Sequence, residues 1–126
     1  MKVLLADDSL LMLERLQDQI KMFKQVEITG SFTNGKETLD AIRIMKPDLA
    51  IVDLKMPGLT GLQVLNEIRT ENKILTFIIL TFCSSDYYQN MALDAGADYF
   101  FSKVDEFDKV SLVVEKLLTN KECYIS

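Results

Sequence analysis

Five times along this 126-residue chain a short apolar run is followed by a stretch of helical period, and few architectures accommodate that alternation. The runs Lys2 to Ala6, Val26 to Phe32, Leu49 to Val52, Leu75 to Phe82 and Asp98 to Ser102 read as strands. The first predicted helix covers Leu10 to Met22, with Leu13, Leu16, Ile20 and Phe23 on one face and Ser9 placed to cap it. The second covers Lys36 to Met45, with Leu39, Ile42 and Met45 facing inward, and Pro47 ends it. The third runs from Gly61 to Thr70 behind Thr60, with Leu62, Leu65 and Ile68 inward. The fourth spans Asp86 to Leu93 and should close near Gly96, which can take the left-handed conformation. The last spans Glu106 to Leu118, where Val110, Val113, Val114, Leu117 and Leu118 recur. Asn120 to Ser126 reads as a polar, frayed tail, so the expected division is a domain over 1–120 and a tail over 121–126.

Strands that alternate with helices pair in parallel through right-handed crossovers, with helices on both faces. The expected class is therefore α/β: a doubly wound five-stranded parallel sheet, flavodoxin-like (βα)5, in the order 2-1-3-4-5. In that order the first and third strands are neighbours. The first runs straight into Asp7-Asp8 and the third into Asp53, so all three acids meet at the carboxyl edge, where ligands of such sheets bind. Clustered negative charges repel, and oxygen ligands suit a divalent cation such as Mg²⁺. Thr81 ends the fourth strand and Lys103 follows the fifth, which brings a hydroxyl and an ammonium to the same edge. Both suit a phosphoryl group, one as a hydrogen-bond donor and the other as a point charge. Taken singly, each residue has an ordinary structural explanation: a solvated strand end, a turn former or a surface lysine. Their joint placement at four strand ends is what carries the inference.

Composition narrows the classes. A net charge of −5 argues against a nucleic-acid surface, which needs Lys and Arg to neutralise phosphates. No run is long enough to span a membrane and the N-terminus lacks signal-peptide features, so a cytoplasmic protein is expected. Cys83 and Cys123 lack metal-ligand spacing and read as reduced thiols. The chain has no histidine, which excludes a His-based triad or His-ligated metal.

From Lys2 to Leu118 the chain resembles the receiver domain of two-component response regulators. Leu4-Leu5-Ala6-Asp7-Asp8-Ser9 resembles the family's acidic pair, and Asp53-Leu54-Lys55-Met56-Pro57-Gly58-Leu59-Thr60-Gly61 is similar to its phosphoacceptor loop. Thr81, Ala95-Gly96-Ala97-Asp98-Tyr99-Phe100 and Lys103 fall on its switch hydroxyl, its entry to the fifth strand and its lysine. The resemblance implies that Asp53 accepts a phosphoryl group from a sensor histidine kinase or histidine phosphotransfer protein. It implies Mg²⁺ (or Mn²⁺) held by Asp8 and Asp53, by Asp7 mainly through water, and by the backbone carbonyl of Lys55. Thr81 and Lys103 would hold phosphoryl oxygens, with Phe100 as an aromatic switch that turns inward when Thr81 moves. The face built on the fourth helix, fifth strand and fifth helix would then control a downstream effector or output domain, or an activation-linked homodimer. Such a chain is no enzyme beyond its own phosphotransfer and slow autodephosphorylation, and this domain itself contacts neither nucleic acid nor membrane.

Two residues, Val104 and Phe82, depart from the family pattern. Val104 stands where proline usually follows the lysine through a cis bond, and a non-proline cis bond costs about 3–4 kcal/mol, so a trans bond is expected. Phe82 replaces a small residue and is expected to crowd the phosphoryl channel or restrict Thr81, while Cys83 lies where hydrolysis is tuned. These departures sustain an alternative, a non-phosphorylated pseudo-receiver that acts as a protein-interaction module. A flavin protein of similar topology ranks lower, because Asp7-Asp8 after the first strand would repel a phosphate. The chain ends soon after the fifth helix, which fits either a stand-alone receiver or one belonging to a longer DNA-binding regulator.

Overall fold

Apolar side chains of every inner strand alternate between two cores, because successive residues of a strand point to opposite faces. In the computed structural model, which describes the backbone of residues 1–125 and the side chains of residues 1–120, five strands form one sheet. They are β1 (Lys2–Ala6), β2 (Glu27–Phe32), β3 (Leu49–Val52), β4 (Thr76–Thr81) and β5 (Tyr99–Ser102). All pair in parallel, in the expected order β2-β1-β3-β4-β5. The helices are α1 (Leu10–Ile20), α2 (Gly35–Met45), α3 (Gly61–Arg69), α4 (Asp86–Asp94) and α5 (Lys109–Ile125).

Leu4, Ala50, Phe77 and Phe100 feed one core, shared with α2, α3 and α4. Val3, Ile51, Ile78 and Phe101 feed the other, shared with α1 and α5. The central strands β1, β3 and β4 are buried on both faces, which is why they read as continuous apolar runs. Each fully buried Leu, Ile or Phe among them contributes about 1.5–3 kcal/mol.

Helix starts follow their caps. The Ser9 hydroxyl accepts the Met12 N–H at 3.3 Å, and Thr60 with Gln63 forms a reciprocal capping box at α3. Gly96 takes a φ of 107°, as its place behind α4 requires. Helix ends deviate more. α1 stops at Ile20, two residues early, because the Phe23 N–H turns back onto the Ile20 carbonyl at 3.1 Å. Phe23 thus leaves the helix yet still packs on the α1 core. α5 begins at Lys109, after a turn in which the Glu106 carboxylate takes the Ser102 N–H at 3.0 Å. It then continues to Ile125, so the backbone of 121–125 is helical where the sequence suggests a tail. Cys123 and Ser126 lie outside the residues whose side chains are described.

Candidate functional site

The register of the parallel ladder sets the acids side by side. Ala6 of β1 is opposite Val52 of β3, and the Asp53 N–H donates to the Ala6 carbonyl at 2.9 Å. Asp7 and Asp53 are therefore adjacent at the carboxyl edge. One carboxylate oxygen from each of Asp7, Asp8 and Asp53 lies within 4.8 Å of the other two. On the opposite flank Thr81 faces Ser102 across β4 and β5, and the Lys103 N–H donates to the Thr81 carbonyl at 2.9 Å.

Lys103 points back into the acids. Its ammonium lies 2.5 Å from Asp7 Oδ2 and 3.2 Å from Asp53 Oδ2, with all three side chains almost fully buried. The remaining oxygens of the pair are held by backbone: the Ser9 N–H donates to Asp7 Oδ1 at 2.9 Å and the Lys55 N–H to Asp53 Oδ1 at 3.4 Å. Asp8 is exposed, and no cation pairs with it among the described residues.

Burial decides the electrostatics of Asp53. Loss of water around its carboxylate, followed by the charge of Asp7, raises its pKa to about 6 against the opposing pull of Lys103 and the Lys55 N–H. The sequence reading expects Lys103 and Mg²⁺ together to favour the charged form. Lys103 alone does not offset the loss of water and the Asp7 charge, and its ammonium also serves Asp7 at the shorter distance. That sharing also modifies the role read for Asp7, which here is the direct ion-pair partner of Lys103.

The donor set fits a hard divalent cation. It consists only of oxygens, carries excess negative charge and has one exposed member through which an ion can enter. Asp7, Asp8 and Asp53 would hold Mg²⁺ or Mn²⁺. The Lys55 carbonyl accepts no hydrogen bond among the described residues and is free to serve as a further ligand. The loop that carries it is fixed at its far end: the Gly61 N–H donates to the Leu54 carbonyl at 2.8 Å, and a Cβ on Gly61 would come 2.2 Å from the Asp53 carbonyl oxygen. Gly58 supplies the turn with a φ of 78°.

Thr81 and Phe100, the residues that the resemblance reads as a switch, are both buried. The Thr81 hydroxyl oxygen accepts the Cys83 N–H at 2.9 Å. Phe100 is already inward, 7% exposed among Leu54, Ala92 and Ala97, without any displacement of Thr81. A phenyl ring has no hydroxyl to keep hydrated, so the apolar side of the sheet is its favourable position. The neighbouring Cys83 thiol holds the Lys55 ammonium above the ordinary lysine range.

Two departures resolve into specific contacts. Among the described residues every peptide bond is trans, as expected for Lys103–Val104, and the Val104 N–H donates to Ser102 Oγ at 3.1 Å. A proline could not make that bond. Phe82 is 63% exposed, and its ring centroid lies 4.9 Å from the Lys103 ammonium, at the mouth of the acid pocket. Sequence reasoning missed this contact and the Asp7–Lys103 pair, since neither has a spacing signature.

Over residues 3–115 the sequence matches the family model of the response regulator receiver domain. It is 28% identical over 123 residues to the transcriptional regulatory protein DesR of Bacillus subtilis, covering 97% of this chain and 60% of that protein. It is 27% identical over 124 residues to the DNA-binding transcriptional activator EvgA of Escherichia coli K12, covering 98% and 60%. The chain thus spans about 60% of the length of these relatives. Among solved structures, a DNA-binding response regulator of the LuxR family from Staphylococcus aureus superposes with a TM-score of 0.84 at 27% identity, over 91% of this chain and 96% of that one. The receiver domain of Francisella response regulator 1452 gives 0.78 at 28%, over 93% and 98%.

Proposed function

The chain belongs to the response regulator receiver domain family, and from that premise we propose that it takes up a phosphoryl group on Asp53 from a phosphohistidine donor. The observation that carries this reading is the position of the Asp53 carboxylate, between an oxygen cluster within 4.8 Å and an ammonium at 3.2 Å. Phosphoryl transfer depends chiefly on in-line placement and neutralisation of charge on the phosphoryl oxygens.

With a pKa of about 6, Asp53 is mostly ionised near neutral pH and can act as the nucleophile. A bond forms between its oxygen and phosphorus as the bond from phosphorus to the donor's imidazole nitrogen breaks, the electron pair staying on that nitrogen. Lys103 offsets charge on the transferred group. A bound divalent cation would supply Lewis-acid neutralisation of the same oxygens. The Thr81 hydroxyl accepts from Cys83, so its own proton is available to a phosphoryl oxygen. Movement of Thr81 toward that oxygen would give up the Cys83 bond and alter the start of the loop leading to α4. Phosphorylation, which adds roughly −1.5 to −2 charge, thereby shifts the population of the α4-β5-α5 face and its affinity for an effector or output domain.

The test is incubation with a small acyl phosphate and Mg²⁺, read by intact mass. The expected result is a gain of one phosphoryl group, lost in Asp53→Asn and retained in Glu14→Gln. Wild-type protein that gains no mass under conditions where another receiver does would leave the pseudo-receiver reading standing.

A further inference from the structure

We propose that Phe82 is a positioning residue for Lys103, its aromatic face capping the ammonium and keeping that ammonium on the carboxylates. Core packing does not account for the ring's position, because Phe82 is 63% exposed on an otherwise buried strand end. What the ring meets is a cation at 4.9 Å from its centroid, within the range of attraction to the negative face of a π system. The backbone holds both partners in register. The Cys83 N–H on Thr81 Oγ at 2.9 Å closes the turn that carries Phe82, and the Lys103 N–H on the Thr81 carbonyl at 2.9 Å ties the other partner to the same residue.

The result is a lysine with three partners: two carboxylates in the pocket and one ring at the rim. The Lys103 side chain is 2% exposed although Val104, the next residue, is 77% exposed. An ammonium on a four-carbon stem is flexible and strongly hydrated, so without a cap it would trade one carboxylate for water. The functional consequence, a lysine preset for phosphoryl oxygens, rests on the reading of Asp53 as phosphoacceptor. The capping itself does not.

The test therefore needs neither metal nor phosphodonor. Metal-free protein is treated with a small amine-acetylating ester, and the rate at each lysine is followed by peptide mass mapping, with exposed Lys21 as the internal reference. Phe82→Ala should accelerate Lys103 acetylation roughly three- to thirtyfold relative to Lys21, the factor expected from a cation–π contact of this class. Phe82→Leu should accelerate it similarly, since it retains apolar bulk without a π face, and Phe82→Trp should restore protection. Circular dichroism and the Lys21 rate serve as the check on folding. An unchanged Lys103 rate in Phe82→Ala, or full protection in Phe82→Leu, would overturn the proposal. Failure of Asp53 to take up a phosphoryl group would leave this result untouched, so the two readings fail separately.

Discussion

The two edges of the sheet use the same residue type in opposite ways. At the entry edge, Asp98 precedes β5 and spends one oxygen on two donors: the Phe77 N–H at 2.8 Å and the Arg69 guanidinium at 3.0 Å. Asp48, ahead of β3, accepts the Lys2 N–H at 2.8 Å. These carboxylates each have their own donors and are spread along the edge. At the exit edge, Asp7 and Asp53 share a single ammonium and Asp8 has no cationic partner among the described residues. One edge satisfies its charges locally, whereas the other holds an excess that an added cation or a proton would relieve. That imbalance is the physical mark of a site, and acidic content alone would not reveal it.

The sharpest way to break the contrast is to remove the shared ammonium. Lys103→Met should destabilise the metal-free protein by about 3 kcal/mol at pH 7.5, because it leaves two buried carboxylates with no counter-charge. The share of that loss that belongs to Asp53 should vanish near pH 5, where Asp53 is largely protonated, leaving the share that belongs to Asp7; urea midpoints at the two pH values measure it. A loss that does not depend on pH would mean the lysine stabilises by packing alone.

Adding a divalent cation should act in the opposite direction. Mg²⁺ at about a hundredfold over its dissociation constant should stabilise the wild type by about 2.7 kcal/mol. Thermal melts with and without the ion should show the gain, strongly reduced in Asp8→Asn and unchanged in Asp98→Asn. Equal gains in all three proteins would place the ion elsewhere.

The smallest effect is also the most discriminating, since one substitution should have opposite signs at the two edges. Asp98→Asn weakens the Arg69 pair and should cost about 1 kcal/mol. Asp53→Asn removes a desolvated charge held beside Asp7 and should stabilise the metal-free protein by about 1 kcal/mol at pH 7.5. The sign for Asp53 follows from linkage. Its folded pKa of about 6 lies above the ordinary 3.8, so between those values the folded state binds more protons than the unfolded state. Its contribution to stability therefore falls as pH rises through that window and stays lost above it. Asp53→Asn should flatten this part of the pH–stability curve, and a curve of unchanged shape would refute the assignment.

Much of this was legible in the residues. Period-2 and period-3.6 patterns located every strand and helix, and the run endings located Asp7, Asp8, Asp53, Thr81 and Lys103, because a parallel sheet converts strand ends into a common edge. The rest depended on quantities that a linear pattern does not carry. The pKa of Asp53 depends on how far the loop after β3 excludes water. The preference of Lys103 for Asp7 depends on a distance, and the outward position of Phe82 on the turn that Cys83 closes through Thr81. Helix ends were least legible: α5 begins late because Glu106 is occupied at the Ser102 N–H, a contact made in three dimensions between residues that the helical period assigns to one helix and one strand.

The two glycines of the loop after Asp53 should answer differently to random variation. Around Gly58 nothing lies within 4 Å of an added Cβ, and only its φ of 78° restricts it, so asparagine should be accepted there with little loss. Gly61 lacks room rather than conformational freedom, with the Asp53 carbonyl oxygen where any side chain would begin. A saturation library selected for folded protein should therefore recover a short range of residues at position 58 and glycine alone at position 61.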